Sequence, residues 1–333
     1  MICAIDNTVH TTREELHLHL RKLKVKQEEY YTSFEPRRDV HSGEIIPFKA
    51  PVERYLKQEF VDKNSLRKFI KTNSLAAQEW AINWLKKRKE EKQLVYPPTQ
   101  VELRSLMAPS ALYYDFIGGY NEICAKLGYT IRHNGILSDV ELPSGAVIIE
   151  DTRENTPLEI DTPTIQQKVH CGDYALAVPY DQGIYIERKA LGDFVGTLSE
   201  RKIERKSGGD SNLDRFTREL ERAKETGAYI IMLVEAGIND ALGFNYLPQF
   251  TRRFGKRFDT KTRKMVDCEY RGAMPEHVFK NLRDLIVRFD NFQVLFVKDR
   301  DEAAKAVVKL LGAGDSVKKV DLELMYERKE LVF

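Results

Sequence analysis

Residues 171–198 read CGDYALAVPYDQGIYIERKALGDFVGTL and contain apolar runs flanked by charged groups. In the run at residues 184–189, side chains of a strand would alternate between its two faces. Tyr185, Glu187 and Lys189 therefore share one face. This pattern predicts a carboxylate and an ammonium group side by side, about 7 Å apart along one strand.

Outward from this stretch, short apolar runs alternate with amphipathic ones. The apolar runs are GAVIIED at 145–151, AYIIMLVEA at 228–236 and FQVLFV at 292–297, and the amphipathic runs are LDRFTRELERAKETG at 213–227 and DEAAKAVVKLLGAG at 301–314. The first group has the length and composition of strands, whereas the second has the period of helices. Their order predicts an α/β domain with a mixed or mainly parallel central sheet flanked by helices.

Three acidic residues lie in or next to these predicted strands. Asp151 follows one run, Asp173 precedes another, and Glu187 lies within a third. Carboxylate oxygens are ligands that Mg²⁺ prefers, and bound Mg²⁺ activates water and offsets charge on a phosphate. We expect Asp173 and Glu187 to bind the metal directly, with Asp151 as a second or water-mediated ligand. Lys189 is expected to lie beside the attacking water, and Mn²⁺ to substitute for Mg²⁺.

Several ordered motifs carry a family resemblance. They are Gly172-Asp173, then Glu187-Arg188-Lys189 followed after three residues by Asp193, and an upstream element formed by Asp151, Arg153 and Glu154. This order, over roughly residues 147–236, resembles the XPF nuclease family (ERCC4 domain), a branch of the PD-(D/E)xK superfamily. The resemblance implies a restriction-endonuclease-like core and a metal-dependent DNA endonuclease that forms a homodimer.

The resemblance also implies residues that support the catalytic set. Arg153 and Arg188 are expected to shape the site, and Glu154 and Asp193 to support it. Two of these roles stay open on the sequence alone. Asp193 begins a predicted helix and could simply cap it, whereas Glu154 could be a hydrogen-bonding group behind the site.

The front of the chain is of a different kind. Residues 1–94 are rich in charge and in helical periodicity, which predicts a mainly helical region. Residues 96–129 read YPPTQVELRSLMAPSALYYDFIGGYNEICAKLGY, and their Pro and Gly breaks predict three short helices. This segment resembles the helix-turn-helix repeat associated with phage and bacterial homing endonucleases, which implies a DNA-recognition unit over 95–140. The nuclease domain is predicted over 141–312, and a short charged tail over 313–333.

A zinc site near the first residues is not predicted. Cys3 and the Leu-His-x-His run at 16–19 weakly resemble zinc-binding segments of phage-encoded nucleases. Asp6 stands where a second cysteine is expected, and nothing near His41 completes a set of four ligands. The cysteines of the chain are widely scattered and form neither a disulfide framework nor a Cys-x-x-Cys pair.

A basic and aromatic segment spans residues 244–264. Within it Phe250, Phe254 and Phe258 recur every four residues among many basic ones. That spacing fits a helix face packed on the core, or an arm that follows the DNA backbone. We favour DNA contact, since the segment follows a strand of the predicted site. The residues expected to bind DNA are Arg252, Arg253, Lys256 and Arg257.

Composition and charge exclude some classes of protein. The formal net charge is only +2, so the total charge does not indicate nucleic-acid binding. No run of about 18 apolar residues suggests a membrane span, and the first residues lack the apolar core of a secretory signal. No Walker motif is present, so no nucleotide cofactor is expected. We expect a location in the cytoplasm of a bacterial cell or phage-infected host.

Three hypotheses about function stay open at the level of sequence. The first is a phage or bacterial endonuclease of homing type that cuts double-stranded DNA. The second is a structure-specific nuclease that cuts flap or branched DNA in repair or recombination. The third is a DNA-binding protein with an inactive nuclease fold, and the intact Asp173, Glu187 and Lys189 argue against it.

Overall fold

A computed structural model describes the protein at residues 1–49, 51–137, 140–199, 211–247, 250, 253–259, 264–270 and 273–333, with the backbone alone for 253–259 and 266–270. The chain divides into two compact units, residues 1–84 and residues 85–333. Over the described ranges, every helix is too short or too polar to cross a membrane.

Residues 1–84 are mainly helical, and this confirms the prediction for the N-terminal region. Their helices are α1 (Arg13–Lys22), α2 (Gln27–Phe34), α3 (Val52–Leu56), α4 (Lys63–Lys71) and the first part of α5 (Leu75–Lys92). Thr12 caps α1 because its side chain accepts from the Glu15 amide and the Glu15 carboxylate bonds back to the cap. Leu16 and Leu20, one turn apart on α1, are buried in a core with Tyr30 of α2.

Three short helices begin the second unit, where the sequence predicts them. They are α6 (Gln100–Leu106), α7 (Ala111–Phe116) and α8 (Tyr120–Lys126). Thr99 caps α6 through a capping box with Glu102, and Ser110 is the N-cap residue of α7. Both cap residues directly follow a proline, at the breaks that predict these helices.

A mixed sheet forms the centre of the second unit, as the alternating runs predict. In the part of this unit that the structure describes, the strands are β1 (Ile148–Glu150), β2 (Thr164–Gln166), β3 (Tyr174–Leu176), β4 (Ile184–Ala190), β5 (Tyr229–Glu235), β6 (Arg253–Asp259), β7 (Lys264–Tyr270) and β8 (Phe292–Val297). Six of them form the central sheet in the order β2-β1-β3-β4-β5-β8. β3 runs antiparallel to β1 and β4, whereas β4, β5 and β8 are parallel to one another.

Helices cover both faces of this sheet. They are α9 (Leu191–Leu198), α10 (Asn212–Glu225), α11 (Ile238–Leu242), α12 (Pro275–Arg288), α13 (Arg300–Ala313) and α14 (Leu322–Glu327), with 3-10 helices at Phe244–Tyr246 and Gly314–Lys319. Met232 of β5 packs in one core cluster with Phe216 of α10, and Ile231 packs in the other with Val307 of α13. Successive strand residues thus enter opposite cores, which is the alternation expected of a strand buried on both faces.

The segment predicted as a charged tail, residues 313–333, is packed on the sheet. Val317, Leu322 and Leu331 are buried in the same core cluster as Val307. The buried Glu323 carboxylate accepts a hydrogen bond of 3.0 Å from the amide of Phe296 on β8. This segment therefore covers the β8 edge of the sheet.

Residues 253–259 of the basic segment form β6, so for these residues the alternative of a helix face is wrong. β6 and β7 pair antiparallel, with Arg253 opposite Tyr270 and Asp259 opposite Lys264. A spacing of four residues between aromatic side chains is compatible with a helix or with a strand, and here the residues form a strand. Arg252 lies outside the described residues, and Arg253, Lys256 and Arg257 lie on β6, where the backbone alone is described.

Candidate active site

A glycine turn brings Asp173 against the central strand β4. Gly172 has φ of +69°, and a Cβ there would lie 2.8 Å from the carbonyl oxygen of Ile186. The close approach lets the Asp173 amide donate to that carbonyl at 2.7 Å. The Asp173 carboxylate in turn accepts from the amide of Arg188 at 2.8 Å. The Gly-Asp pair of the motif thus fixes one carboxylate at the strand that carries the Glu-Arg-Lys triplet.

Gly172→Ala is expected to lower the free energy of unfolding by about 2 kcal/mol or more, because the added Cβ meets backbone and the left-handed φ disfavours a side chain. Urea unfolding measures the change. Gly196→Ala is the matched control, since a Cβ there meets no atom within 4 Å and α9 favours alanine. Equal loss in both variants would contradict the steric argument.

Glu187 and Lys189 lie on one face of β4, as the alternation predicts. Tyr185 packs against the core cluster under α10 and α12, whereas Ile184 and Ile186 are buried in the opposite cluster. Glu187 is only 7% exposed, and its carboxylate forms an ion pair with the Lys189 ammonium. Burial opposes the charged ammonium, yet the Glu187 carboxylate raises the pKa of Lys189 above its usual value. Lys189 therefore stays positively charged.

Two carboxyl groups share this environment: Glu187 is buried and Asp173 is half-buried. Burial, followed by the negative charge of Glu187, raises the pKa of Asp173 from 3.8 to about 7. Burial also raises the pKa of Glu187, and the Lys189 ammonium opposes that shift. Without a cation, the site therefore disfavours the charged form of both carboxyl groups. A divalent cation would stabilise that form.

Asp151 lies at the end of β1 and is held by Arg153. One Asp151 oxygen accepts from the Arg153 amide and Nε, both at 2.7 Å. The other accepts from Arg153 Nη2 at 2.9 Å and from the amide of Val169 at 2.8 Å. The Arg153 guanidinium holds the pKa of Asp151 at about 2, so this carboxylate is ionised and fully hydrogen-bonded. Direct metal binding by Asp151 requires Arg153 to move.

Arg188 points to the opposite face of β4 and organises the structure behind the site. Its guanidinium donates to Glu154 at 3.1 Å and to Glu235 at 2.9 Å. Arg300, at the start of α13, also donates to Glu235 at 3.1 Å. Glu154 is thus a partner of Arg188 behind the predicted metal site, which matches the hydrogen-bonding alternative left open by the sequence.

Asp193 does not occupy the cap position of α9. Ala190 is the N-cap residue, and Asp193 lies exposed in the first turn. A carboxylate in the first turn interacts favourably with the helix dipole. The structure places Asp193 at the end of β4 and does not bury it among the acids.

Glu219 of α10 is a residue near the site that the sequence analysis missed. Its carboxylate accepts from the amide of Gly172 at 3.2 Å, and its charge raises the pKa values of Glu187 and Lys189. The apolar stripe of α10, formed by Phe216 and Leu220, was the available signal, because Glu219 lies at its edge. The stripe alone does not say which sheet residues the helix covers.

The acids can hold a metal through few protein ligands. Asp173 and Glu187 supply two carboxylates, and Mg²⁺ usually takes one or two carboxylates and keeps several waters. Lys189 provides a fixed positive charge beside them. The donor set therefore fits a hard divalent cation and a phosphate substrate.

Comparison with known proteins gives one positive finding. Neither the curated proteins nor the solved structures include a match to the chain. A family model described as ERCC4 domain does match, over residues 151–310. The match contains Asp151, Asp173, Glu187, Lys189 and Glu219. It supports assignment of residues 151–310 to the XPF-type nuclease family and indicates a nuclease that acts on DNA.

Proposed function

We propose that the protein is an Mg²⁺-dependent DNA endonuclease that hydrolyses phosphodiester bonds. The observation that carries the proposal is the pair of carboxyl groups, the half-buried Asp173 and the buried Glu187, beside the Lys189 ammonium. Asp173 and Glu187 would hold the cation. When bound, Mg²⁺ supplies an activated water and neutralises charge that develops on the phosphate.

The residues of the chain position the reacting groups. Lys189 lies at the open end of β4, where its ammonium can donate to the attacking water or to a phosphate oxygen. Arg153 is 65% exposed although it clamps the buried Asp151, so its guanidinium can contact the DNA backbone. Arg188 and Glu154 keep β4 in place from the other face.

The substrate is the second part of the proposal. The helices α6 to α8 favour double-stranded DNA read by a helix-turn-helix unit, as in a phage or bacterial homing-type enzyme. The ERCC4 match favours the second candidate, a structure-specific nuclease for flap or branched DNA. For either candidate we also propose that the protein forms a homodimer and is located in the cytoplasm. The inactive, DNA-binding alternative is disfavoured because Asp173, Glu187 and Lys189 are assembled.

Cleavage of matched DNAs tests the function. Supercoiled plasmid and labelled linear, flap and splayed-arm DNAs are incubated with Mg²⁺, with Mn²⁺ and with EDTA, for the wild type and for Glu187→Gln. We expect metal-dependent products that Glu187→Gln does not form. The preferred substrate decides between the two candidates. DNA binding without cleavage by the wild type under every condition would overturn the proposal.

Glu219→Gln is expected to raise the Mg²⁺ concentration for half-maximal cleavage about tenfold, because it removes a negative charge near Glu187 while keeping the oxygen that accepts from Gly172. Mg²⁺ titrations of initial rates measure the shift. Glu221→Gln is the matched control, since Glu221 lies on the same helix and pairs with Arg288 at the surface. If both variants titrate like the wild type, Glu219 has no part in metal binding.

A further inference from the structure

A second cluster of metal-ligating side chains lies in the unit of residues 1–84. The ligand atoms of Cys3, Asp6 and His19 all lie within 4.8 Å of one another. Cys3 is fully buried, Asp6 is exposed, and His19 is half-buried. A thiol, a carboxylate and an imidazole therefore meet at one edge of the first core, in a different compact unit from the nuclease site.

The local fold explains why these three side chains converge. The Cys3 amide donates to the Thr8 carbonyl at 2.9 Å, and the Asn7 amide donates to the Cys3 carbonyl at 2.8 Å. This tight turn presents Cys3 and Asp6 together. α1 carries His19 in its last turn, and His19 Nε2 lies 2.7 Å from an Asp6 carboxylate oxygen. The cluster thus joins a turn to a helix.

His10 provides an independent observation at the same place. Its ring centroid lies 4.8 Å from that of His19. The side chain is 8% exposed, and its Nε2 atom is buried without a hydrogen-bond partner. A buried polar atom without a partner costs about 1–3 kcal/mol, so the structure leaves an imidazole nitrogen beside the cluster that a ligand would satisfy.

We propose that Cys3, Asp6 and His19 bind one Zn²⁺ ion, with His10 beside them as the candidate for a fourth ligand. Sulfur and imidazole donors favour Zn²⁺ over Mg²⁺, and zinc also accepts carboxylate oxygen. On binding, the Cys3 thiol releases its proton to solvent and the thiolate takes the metal. Asp6 exchanges its hydrogen bond with His19 for a bond to the ion, and the proton that Asp6 shares with His19 Nε2 passes to Nδ1 or to solvent. The ion then ties the turn to α1.

The competing interpretation needs no metal. Cys3 could serve only as a small apolar residue in the core with Leu16 and Tyr30, and Asp6 and His19 could form a surface ion pair. The sequence favours this interpretation, because Asp6 stands where a second cysteine is expected. The fold brings a carboxylate ligand to that position instead. The two interpretations differ in whether the Cys3 sulfur bonds a metal.

Cobalt substitution tests this directly. The full chain carrying Asp173→Asn, which weakens the nuclease site, is stripped with a chelator and titrated with Co²⁺. We expect a sulfur-to-cobalt charge-transfer band that saturates at one ion per chain and disappears when Zn²⁺ is added. The band is expected to vanish in Cys3→Ser and to persist in Cys171→Ser, a buried cysteine outside the cluster. Absence of the band, or its survival in Cys3→Ser, would overturn the proposal.

A second variant keeps the test valid if Cys3→Ser does not fold. His19→Gln changes a half-buried side chain at the end of α1 and is expected to weaken Co²⁺ binding at least tenfold. His41→Gln is its control, since the exposed His41 lies outside the cluster. Zn²⁺ is also expected to raise the melting temperature of the wild type by several degrees and that of His19→Gln much less. Equal cobalt affinity in His19→Gln and His41→Gln would contradict a site at His19.

Discussion

Asp173→Asn is expected to reduce DNA cleavage at least about 1,000-fold and to raise the melting temperature of the metal-free protein, on the order of 5 °C. Asparagine keeps the oxygen that accepts from the Arg188 amide. It removes the charge that burial and Glu187 make unfavourable. Cleavage assays and thermal unfolding in EDTA measure the two effects. Asp181→Asn is the control, because Asp181 is exposed and, within the described ranges, accepts from the amide of Gly183 and from the Tyr185 hydroxyl.

The gain in stability has a definite dependence on pH. The ordinary pKa of the aspartate is 3.8, whereas burial and the Glu187 charge raise it to about 7 in the folded protein. Between these values the folded state keeps a proton that the unfolded chain has released, so wild-type stability falls as pH rises from about 4 to 7. The advantage of Asp173→Asn therefore grows over that interval and is constant above it. An advantage of equal size at pH 4 and pH 8 would show that another group carries the penalty.

Added Mg²⁺ is expected to reverse the order of stability. The cation offsets the charges of Asp173 and Glu187 in the wild type, so it raises the wild-type melting temperature. Asp173→Asn lacks one ligand and gains little. A variant that loses activity but responds to Mg²⁺ as the wild type does would separate catalysis from metal binding and remove Asp173 from the ligand set.

The arrangement of β4 could be predicted because a strand has only two faces. Once residues 184–189 are identified as a strand, Glu187 and Lys189 must lie together and Arg188 must lie opposite. The order of apolar and amphipathic runs likewise predicts the mixed sheet with helices on both faces. These features depend on local periodicity, which a single sequence records.

Contacts between distant elements could not be predicted in the same way. Glu219, Glu221 and Glu225 look alike along α10, and only the packing of Phe216 and Leu220 on the sheet decides that Glu219 reaches Gly172. The pairing of Arg188 with Glu235 also depends on the β4–β5 register. The many charged residues of 313–333 predict a tail, although the apolar residues between them, among them Val317, Leu322 and Leu331, are buried.

The paired strands β6 and β7 and the cluster of Cys3, Asp6 and His19 show the limits of motif patterns. Aromatic residues four apart fit a helix face as well as a DNA-contacting arm, and the backbone at Phe254 and Phe258 forms a strand. The motif at Cys3 and Asp6 lacks a second cysteine. The fold nevertheless brings His19, which follows Asp6 by 13 residues, to the side chain of Asp6. In both cases the contacts between residues in the folded chain decide between structures that the spacing of residues along the sequence allows.

Lys189→Met is expected to lower the maximal cleavage rate about 100-fold to 1,000-fold while lowering the Mg²⁺ concentration for half-maximal activity about tenfold. The two changes have opposite signs because the ammonium has two effects. It stabilises charge that develops on the phosphate, and it also repels a cation held by Glu187. Methionine fills a similar volume without charge, so the packing of this side chain on β4 is largely retained.

Initial rates over a series of Mg²⁺ concentrations separate these effects. Lys305→Met is the control, because Lys305 is exposed on α13, on the other face of the sheet. A merely structural role for Lys189 predicts weaker Mg²⁺ binding or a lower melting temperature at unchanged maximal rate. Full rate at saturating Mg²⁺ would therefore contradict a catalytic Lys189. Tighter Mg²⁺ binding together with a lost rate would locate the ammonium at the reacting phosphate, since only there does its charge oppose the metal and assist the chemistry.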